Sequence, residues 1–436
     1  MKRWIRPSFS SFIRRENYAI TYLKGTFLCI HAYLPTDKTN RLQWVGQRLQ
    51  RRKRPTCQST IPAMLSRRSF FKTAGLGAAV AATASFPTEL MSWAEPPRTA
   101  TPGGPILLNS NENAYGPFPS VLAMKNPFQD ANRYPDRGYD QLIERIAAMH
   151  KVKADQVTLG CGSTEILKVA ASAFTGPGKK LVMASPTFEA IEFYAKAAKA
   201  EVIKVPLAAT YSHQLVQMAE AVGKDGGLIY ICNPNNPTAS VTPRRSLEIF
   251  IRSLPPNTYV LMDEAYHDFV PVAADYISFL QTPIDEDRVI VARTFSKIYG
   301  MAGLRLGYAV TSAKNSKAMA AHKLEDSTNI LALRAGITSL DKQDEHKEAV
   351  MRNGFDRDEF QRQAASRKLQ VIPSWTNFVM FNTQRPIRTV IDYFKKNNIR
   401  IGRPFPPMDT FARISLGQPD EMKAFWQVWD KMAATK

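Results

Sequence analysis

From about residue 157 onward, short apolar runs alternate with longer stretches in which apolar positions recur at helical spacing. Val157–Gly160, Leu181–Ala184, Glu201–Val205, Leu228–Cys232, Tyr259–Met262 and Val289–Val291 are the apolar runs, and Gly, Pro, Asn or Asp sit at or near most of their ends. Strands buried on both faces of a sheet have this near-continuous apolar character. Helical patterns lie over about 139–150, from 161–167 onward, and over 188–198 and 212–222. Alternating strands and helices predict an α/β fold with a doubly wound, mostly parallel sheet. From about residue 311 the pattern turns helical, and short strands return in Val371–Phe381 and Ile399–Ile414. The expected organisation is a linker and arm over 95–118, a large domain over 119–310 and a smaller α/β domain over 311–436.

The charge distribution separates the front of the chain from the rest. The net charge is +20, but residues 1–63 carry +11, residues 64–98 carry +2 and the remainder only +7. No basic patch interleaved with aromatics is evident in the basic front, so no nucleic-acid partner is expected. Ser66-Arg67-Arg68-Ser69-Phe70-Phe71-Lys72 is a twin-arginine motif, followed by a weakly apolar run from Thr73 to Phe86 and a small-x-small site at Ser92-Trp93-Ala94. Residues 64–94 therefore read as a signal for the twin-arginine translocase, predicting an exported or periplasmic protein. The apolar run is too short to span a bilayer. Residues 1–63, with Arg51-Arg52-Lys53-Arg54 and no domain pattern, are expected to be a mispredicted extension ahead of a start at Met64, or a disordered basic leader. Cys161 and Cys232 are the only cysteines after the signal and imply no disulfide framework. The histidines show no ligand spacing, so no metal is expected.

The chemistry collects at strand ends, where ligands of open α/β sheets bind. After Val289–Val291 come Thr294, Ser296 and Lys297, with Arg305 further on. Hydroxyls, an amine and a guanidinium make an anion site beside a nucleophile, and a lysine that must form a Schiff base has to be buried and partly deprotonated. Cys161-Gly-Ser-Thr-Glu-Ile-Leu167 turns from strand into helix. Ser163 or Thr164 can cap that helix with Glu165 in its first turn, and free N–H groups there suit a phosphate. Asp263 closes the strand 259–262. A buried aspartate needs a cationic partner or takes up a proton.

The segment Thr294 to Gly307 fits Thr-x-Ser-Lys-x-x-x-x-x-Gly-x-Arg-x-Gly. In this it resembles the Schiff-base segment of fold-type I, pyridoxal-phosphate-dependent aminotransferases of class I/II, most closely the histidinol-phosphate aminotransferase group. Leu107-Leu-Asn-Ser-Asn-Glu-Asn-Ala-Tyr-Gly-Pro117, Asn233-Pro-Asn-Asn236-Pro-Thr238, Asp263-Glu-Ala-Tyr266 and Ala412-Arg413-Ile-Ser-Leu-Gly417 extend the resemblance over about residues 105–435. The resemblance implies a homodimer with shared active sites that moves an amino group between an amino acid and a 2-oxo acid. It implies that Lys297 carries pyridoxal 5'-phosphate and transfers the proton, that Asp263 pairs with the pyridine nitrogen, and that Asn236 and Tyr266 hold the 3-oxygen. Phe188 would stack on the ring. Gly162, Ser163, Thr164, Thr294, Ser296 and Arg305 would hold the phosphate, with Tyr134 of Asn132-Arg-Tyr-Pro-Asp136 reaching across the dimer. Arg413 would bind the substrate carboxylate, with Tyr115, Asn377 and Arg403 as further substrate contacts.

The chain departs from the family pattern in places. Ala239 stands where the family has glycine, Phe188 where tyrosine is commoner and Ala114 where proline is usual. Glu325-Asp-Ser-Thr-Asn329 replaces the Arg-x-Pro-Phe-Asn of histidinol-phosphate enzymes, which predicts a different physiological substrate. Two rival readings stay open at this point, an amino-acid decarboxylase on the same fold and a non-catalytic cofactor-binding domain.

Overall fold

The computed structural model describes residues 103–436 apart from 272–274, 284–285 and 435–436. The expected signal and leader lie outside the described residues. In chain order the strands are β1 (Ile106–Leu108), β2 (Val157–Cys161), β3 (Lys180–Ser185), β4 (Val202–Pro206), β5 (Gly227–Cys232), β6 (Thr258–Asp263), β7 (Val289–Thr294), β8 (Leu306–Val310), β9 (Gln370–Ile372), β10 (Phe378–Asn382), β11 (Ile399–Ile401) and β12 (Phe411–Ser415).

Seven strands form the main sheet in the order β2-β8-β7-β6-β5-β3-β4, and only β8 runs against the others. The apolar runs are buried on both faces, and strand alternation assigns each residue to one of them. Val182, Ile229, Ile231, Val260, Met262 and Val291 pack beneath helices 136–150, 215–222, 244–253 and 330–340. Leu181, Met183, Leu228, Tyr230, Leu261 and Ile290 pack beneath helices 163–174 and 190–197. The pairing of Cys232 with Asp263 places Asp263 on the second of these faces, the one that also carries Tyr230.

A second core is built on the antiparallel sheet β12-β10-β9, the parallel pair β1-β11 and helices 343–366, 387–396 and 419–434. Phe360, Phe381, Phe394, Phe425, Trp426 and Trp429 fill it, with aromatic pairs at centroid separations such as 4.9 Å for Phe394–Phe425. Two expected boundaries move. Leu108 of the arm is buried in this second core, because β1 finds its edge partner in β11. Helices 313–320 and 330–340 instead seat Met319, Ala332 and Leu333 against the main sheet, so the change of core falls near the long helix 343–366 rather than at 311.

Candidate active site

The carboxyl ends of β2, β3, β5, β6 and β7 open toward one cavity of about 760 Å³, which the second core borders through Arg413 and the segment 399–404. Its anion-binding end is made by Ser163, Thr164, Thr294, Ser296 and Arg305. Helix 163–174 starts at the carboxyl end of β2, and helix geometry leaves its first N–H groups without intrahelical acceptors. Gly162, not Ser163 or Thr164, is the N-cap, with φ 72° and no side chain accepting from the helix. The expected cap is thus corrected, and both residues line the cavity. Glu165 serves the turn instead, accepting from the Cys161 N–H at 2.6 Å and from Ser327 Oγ at 2.7 Å. A Cβ at Gly162 would collide with the Arg305 guanidinium, so only glycine lets that side chain lie over the turn. Arg305 Nη1 donates to Ser296 Oγ at 3.3 Å and to the Ala302 carbonyl at 3.0 Å. Hydroxyls, unpaired N–H groups and one guanidinium are a donor set for a phosphate.

Asp263 lies deeper in the same cavity. Its Oδ2 accepts the Tyr230 hydroxyl at 2.7 Å and its Oδ1 accepts the Ala265 N–H at 3.2 Å. Burial raises its pKa above the ordinary carboxylate value despite these donors. No cation among the described residues is within ion-pair distance of it, so a cationic ring nitrogen would complete the site. The sequence reading missed Tyr230, which sits inside an apolar strand and looks like core. The one available signal is that a buried tyrosine hydroxyl requires a partner.

Lys297 Nζ donates to the Asn111 carbonyl at 3.0 Å and to the Ser110 carbonyl at 3.4 Å. Burial first, and the nearby Arg413 charge second, lower its pKa to about 8. Asn111 was also missed as a hub. It adopts φ 55°, a left-handed conformation that asparagine tolerates better than most residues. From there its Nδ2 donates to the Tyr266 hydroxyl at 3.0 Å, and its backbone N–H donates to Ser415 Oγ at 2.8 Å. Tyr266 also packs edge-on against Phe378, and burial raises its pKa. Phe188 lines the cavity while its ring packs on the helix-side core.

Asn236 hangs from the loop after β5. That loop is tied by Asn235 Nδ2 to Thr238 Oγ1 at 2.8 Å and by Thr187 Oγ1 to Asn235 Oδ1 at 2.7 Å. Ala239 adopts φ 58° there, the left-handed conformation for which glycine is suited, at a cost of about 1 kcal/mol. Asn236 Oδ1 accepts from Arg413 Nη1 at 2.6 Å, and Arg413 Nη2 reaches the Asn109 carbonyl at 2.6 Å. Burial lowers the Arg413 pKa to about 10.

Of the remaining expected contacts, only Arg403 lines this cavity. Tyr115 points away from the cavity. Its hydroxyl donates to Asp356 Oδ1 at 3.3 Å, with the Arg352 guanidinium 4.4 Å from its ring centroid, in a separate small pocket. Asn377 lines that pocket too, and its Nδ2 holds the Asn111 and Glu112 carbonyls, each at 3.1 Å. Through this amide it braces the strip of chain beneath Lys297. Arg403 lines the main cavity but is ion-paired to Glu189. Tyr134 is 82 % exposed and outside the cavity of its own chain. Among the described residues no cluster of His, Cys, Asp or Glu is placed to hold a metal, and no helix is long and apolar enough to cross a membrane.

Comparison with known proteins gives the same picture over most of the described residues. The family model for aminotransferase class I and II matches residues 104–428. A histidinol-phosphate aminotransferase of Symbiobacterium thermophilum is 35 % identical over 330 residues, 73 % of this chain and 88 % of the relative. An aromatic amino acid aminotransferase of Corynebacterium glutamicum is 34 % identical over 333 residues, 75 % of this chain and 93 % of the relative. The crystal structure of histidinol-phosphate aminotransferase from Sinorhizobium meliloti in complex with pyridoxal-5'-phosphate superposes with a TM-score of 0.69 at 25 % identity, covering 81 % of this chain and 100 % of that one. The fold, the anion cradle, the buried carboxyl awaiting a cation and the desolvated lysine thus come together in one conclusion: the chain belongs to the class I and II aminotransferases and is a pyridoxal-phosphate-dependent transaminase of fold type I.

Proposed function

We propose that the enzyme moves an amino group between an amino acid and a 2-oxo acid with Arg413 as the receptor for the α-carboxylate of both. The observation that carries this reading is the state of Arg413. It is 7 % exposed, has no carboxylate within ion-pair distance among the described residues, and its Nε has no acceptor. A desolvated cation held only by neutral oxygens is completed by an anion, and a planar guanidinium suits a carboxylate.

Pyridoxal phosphate, when bound, supplies an electron sink for negative charge developing at the substrate α-carbon. Ser163, Thr164, Thr294, Ser296 and Arg305 would hold its phosphate, with Gly162 giving the guanidinium room. Asp263, held by Tyr230, would pair with its ring nitrogen. Asn236 and Tyr266 would hold its 3-oxygen, and Phe188 would pack on its ring. Lys297, as a free amine, takes the proton from the substrate α-carbon and returns it on the way to product. Burial, which lowers its pKa to about 8, makes the free amine far more available near neutral pH than an ordinary lysine.

Arg413→Ala is expected to lower kcat/KM about 10²- to 10³-fold for amino donor and 2-oxo acceptor alike, the scale of losing one partner of a buried charge pair. Cofactor absorbance should be retained. Unchanged KM values for both substrates would show that the carboxylate binds elsewhere. Steady-state kinetics over a panel of amino acids, with histidinol phosphate included, identifies the donor. The missing arginine ahead of Asn329 disfavours histidinol phosphate. In the structure the Asn329 side chain is occupied in capping helix 330–340, accepting from the Ala332 N–H.

The exposure of Tyr134 supports a homodimer in which this side chain completes the partner's phosphate site. Mixing Lys297→Ala with Tyr134→Phe protein should then restore activity, through heterodimers that contain one intact site. No recovery after confirmed subunit exchange overturns that reading. The twin-arginine segment supports export of folded, cofactor-loaded enzyme. A phosphate site assembled from several loops exists only after folding, so loading precedes transport. Changing Arg67 and Arg68 to lysine should keep active enzyme in the cytoplasm, and normal export of that variant counts against the signal.

A further inference from the structure

A second arginine stands beside Arg413 and is already occupied. Arg403 follows β11 and lines both the main cavity and a neighbouring one of about 220 Å³. Glu189 lies on the neighbouring side and pairs with Arg403 Nη2. Glu189 directly follows Phe188 and is the N-cap residue of helix 190–197, so a defined element positions it next to the cavity wall. The Phe405 ring is buried, with the Arg403 guanidinium carbon 4.3 Å from its centroid and that of Arg413 at 4.7 Å. One ring thus contacts both cations. Their surroundings differ. Arg413 is buried and lacks an acidic partner among the described residues, whereas Arg403 and Glu189 are both about half exposed, with side-chain exposures of 49 % and 43 %.

Resting on the reading of Arg413 as receptor for the α-carboxylate, we propose that the Glu189–Arg403 pair is a competitive latch that sets preference between donors with neutral side chains and donors with a second acidic group. A neutral donor occupies Arg413 and leaves the pair intact. A dianionic donor places its distal carboxylate on Arg403 and displaces Glu189 into the neighbouring cavity, where water solvates it. The exchange swaps one half-exposed ion pair for another. Such pairs contribute little individually, so the latch grades preference and does not exclude acidic donors. Glu189 is a positioning residue here, since it acts only by competing for Arg403.

The test titrates holoenzyme with glutarate and with pentanoate, which share a five-carbon chain and differ in the distal acid, following the cofactor absorbance. Glu189→Gln should tighten glutarate roughly two- to fivefold, the scale of an exposed pair, and leave pentanoate unchanged. Arg403→Gln should weaken glutarate and leave pentanoate unchanged. The double variant should follow Arg403→Gln, because no latch remains to be released. The kcat/KM ratio of L-glutamate to L-glutamine should move in the same directions. The latch is overturned if Glu189→Gln leaves glutarate unmoved, if it shifts both acids equally, or if the double variant still gains. Arg413→Ala reports on the underlying reading separately: retained pentanoate binding rejects the carboxylate receptor, while the latch is judged on the glutarate-to-pentanoate ratio alone.

Discussion

Lys297→Ala is expected to reduce turnover by at least about 10⁴-fold, the upper range for loss of a positioned acid–base group, and to remove the absorbance of covalently held cofactor. The side chain reaches into the cavity beneath the strip Ser110–Asn111, and among the described residues no other lysine near the anion cradle takes an equivalent place; Lys395 lines the cavity from the second core. A small primary amine added to the variant should recover part of the proton transfer, which separates lost chemistry from lost folding. Stability offers an independent check. Burial lowers the Lys297 pKa to about 8, so the cofactor-free folded state binds fewer protons than the unfolded chain between that value and the ordinary lysine value. The protonated amine therefore destabilises the cofactor-free protein below about pH 8, and this penalty fades as pH rises toward the unfolded value. Lys297→Ala apoprotein should melt above wild-type apoprotein at pH 7, with the gap closing at higher pH. Near wild-type turnover in the variant would remove Lys297 from the centre of the reaction.

Asp263→Asn is expected to lower kcat/KM about 10²- to 10³-fold, which corresponds to losing one member of a buried ion pair. The substitution is nearly isosteric, so the Ala265 N–H can keep an acceptor and Tyr230 a partner. The loss should therefore be electronic and not structural. The pKa of Asp263 is raised by burial, so in cofactor-free protein this carboxyl contributes stability at low pH that is lost as pH rises through its folded value. Charging this buried carboxyl burdens the apoprotein until a cation arrives. Pyridoxal phosphate should consequently raise the Tm of wild type more than that of Asp263→Asn, and removal of the cofactor should destabilise wild type more. Equal shifts in both proteins would mean that Asp263 does not sense a cationic ring.

Much of this site can be read from residue order because its parts are tied to strand ends. A strand buried on both faces must be apolar, so the polar residue that breaks the run marks the edge of the sheet. Asp263, Thr294 and Lys297 are legible for that reason, and Asn236 and Arg305 follow from the loop chemistry around them. The parallel sheet and the order of its strands and helices follow from the same alternation. The left-handed turn at Ala239 was also foreseeable, since the family motif that this loop resembles carries glycine there.

Other features depend on which surfaces meet after folding, and no local pattern encodes them. Tyr230 looks like core in its strand, and becomes Asp263's donor only because the register of β5 and β6 puts both on one face. Asn111 becomes a hub because β1 pairs with β11, some 290 residues later, and lays the following turn between Lys297, Tyr266 and Ser415. Tyr115 and Asn377 belong to motifs that suggest substrate contacts, yet tertiary packing turns them to Asp356 and to the backbone strip beneath the lysine. The second core gains β1 and yields helices 313–320 and 330–340 to the main sheet, because burial of Leu108, Met319 and Leu333 is decided by the nearest apolar surface and not by chain position. Sequence by itself determined the fold class and the residues at strand ends, since each depends on local pattern and polarity, and the resemblance of its motifs to the family implied the cofactor chemistry. Register and long-range packing alone decided which neutral groups orient them and which charges, such as Arg403 and Glu189, are already paired.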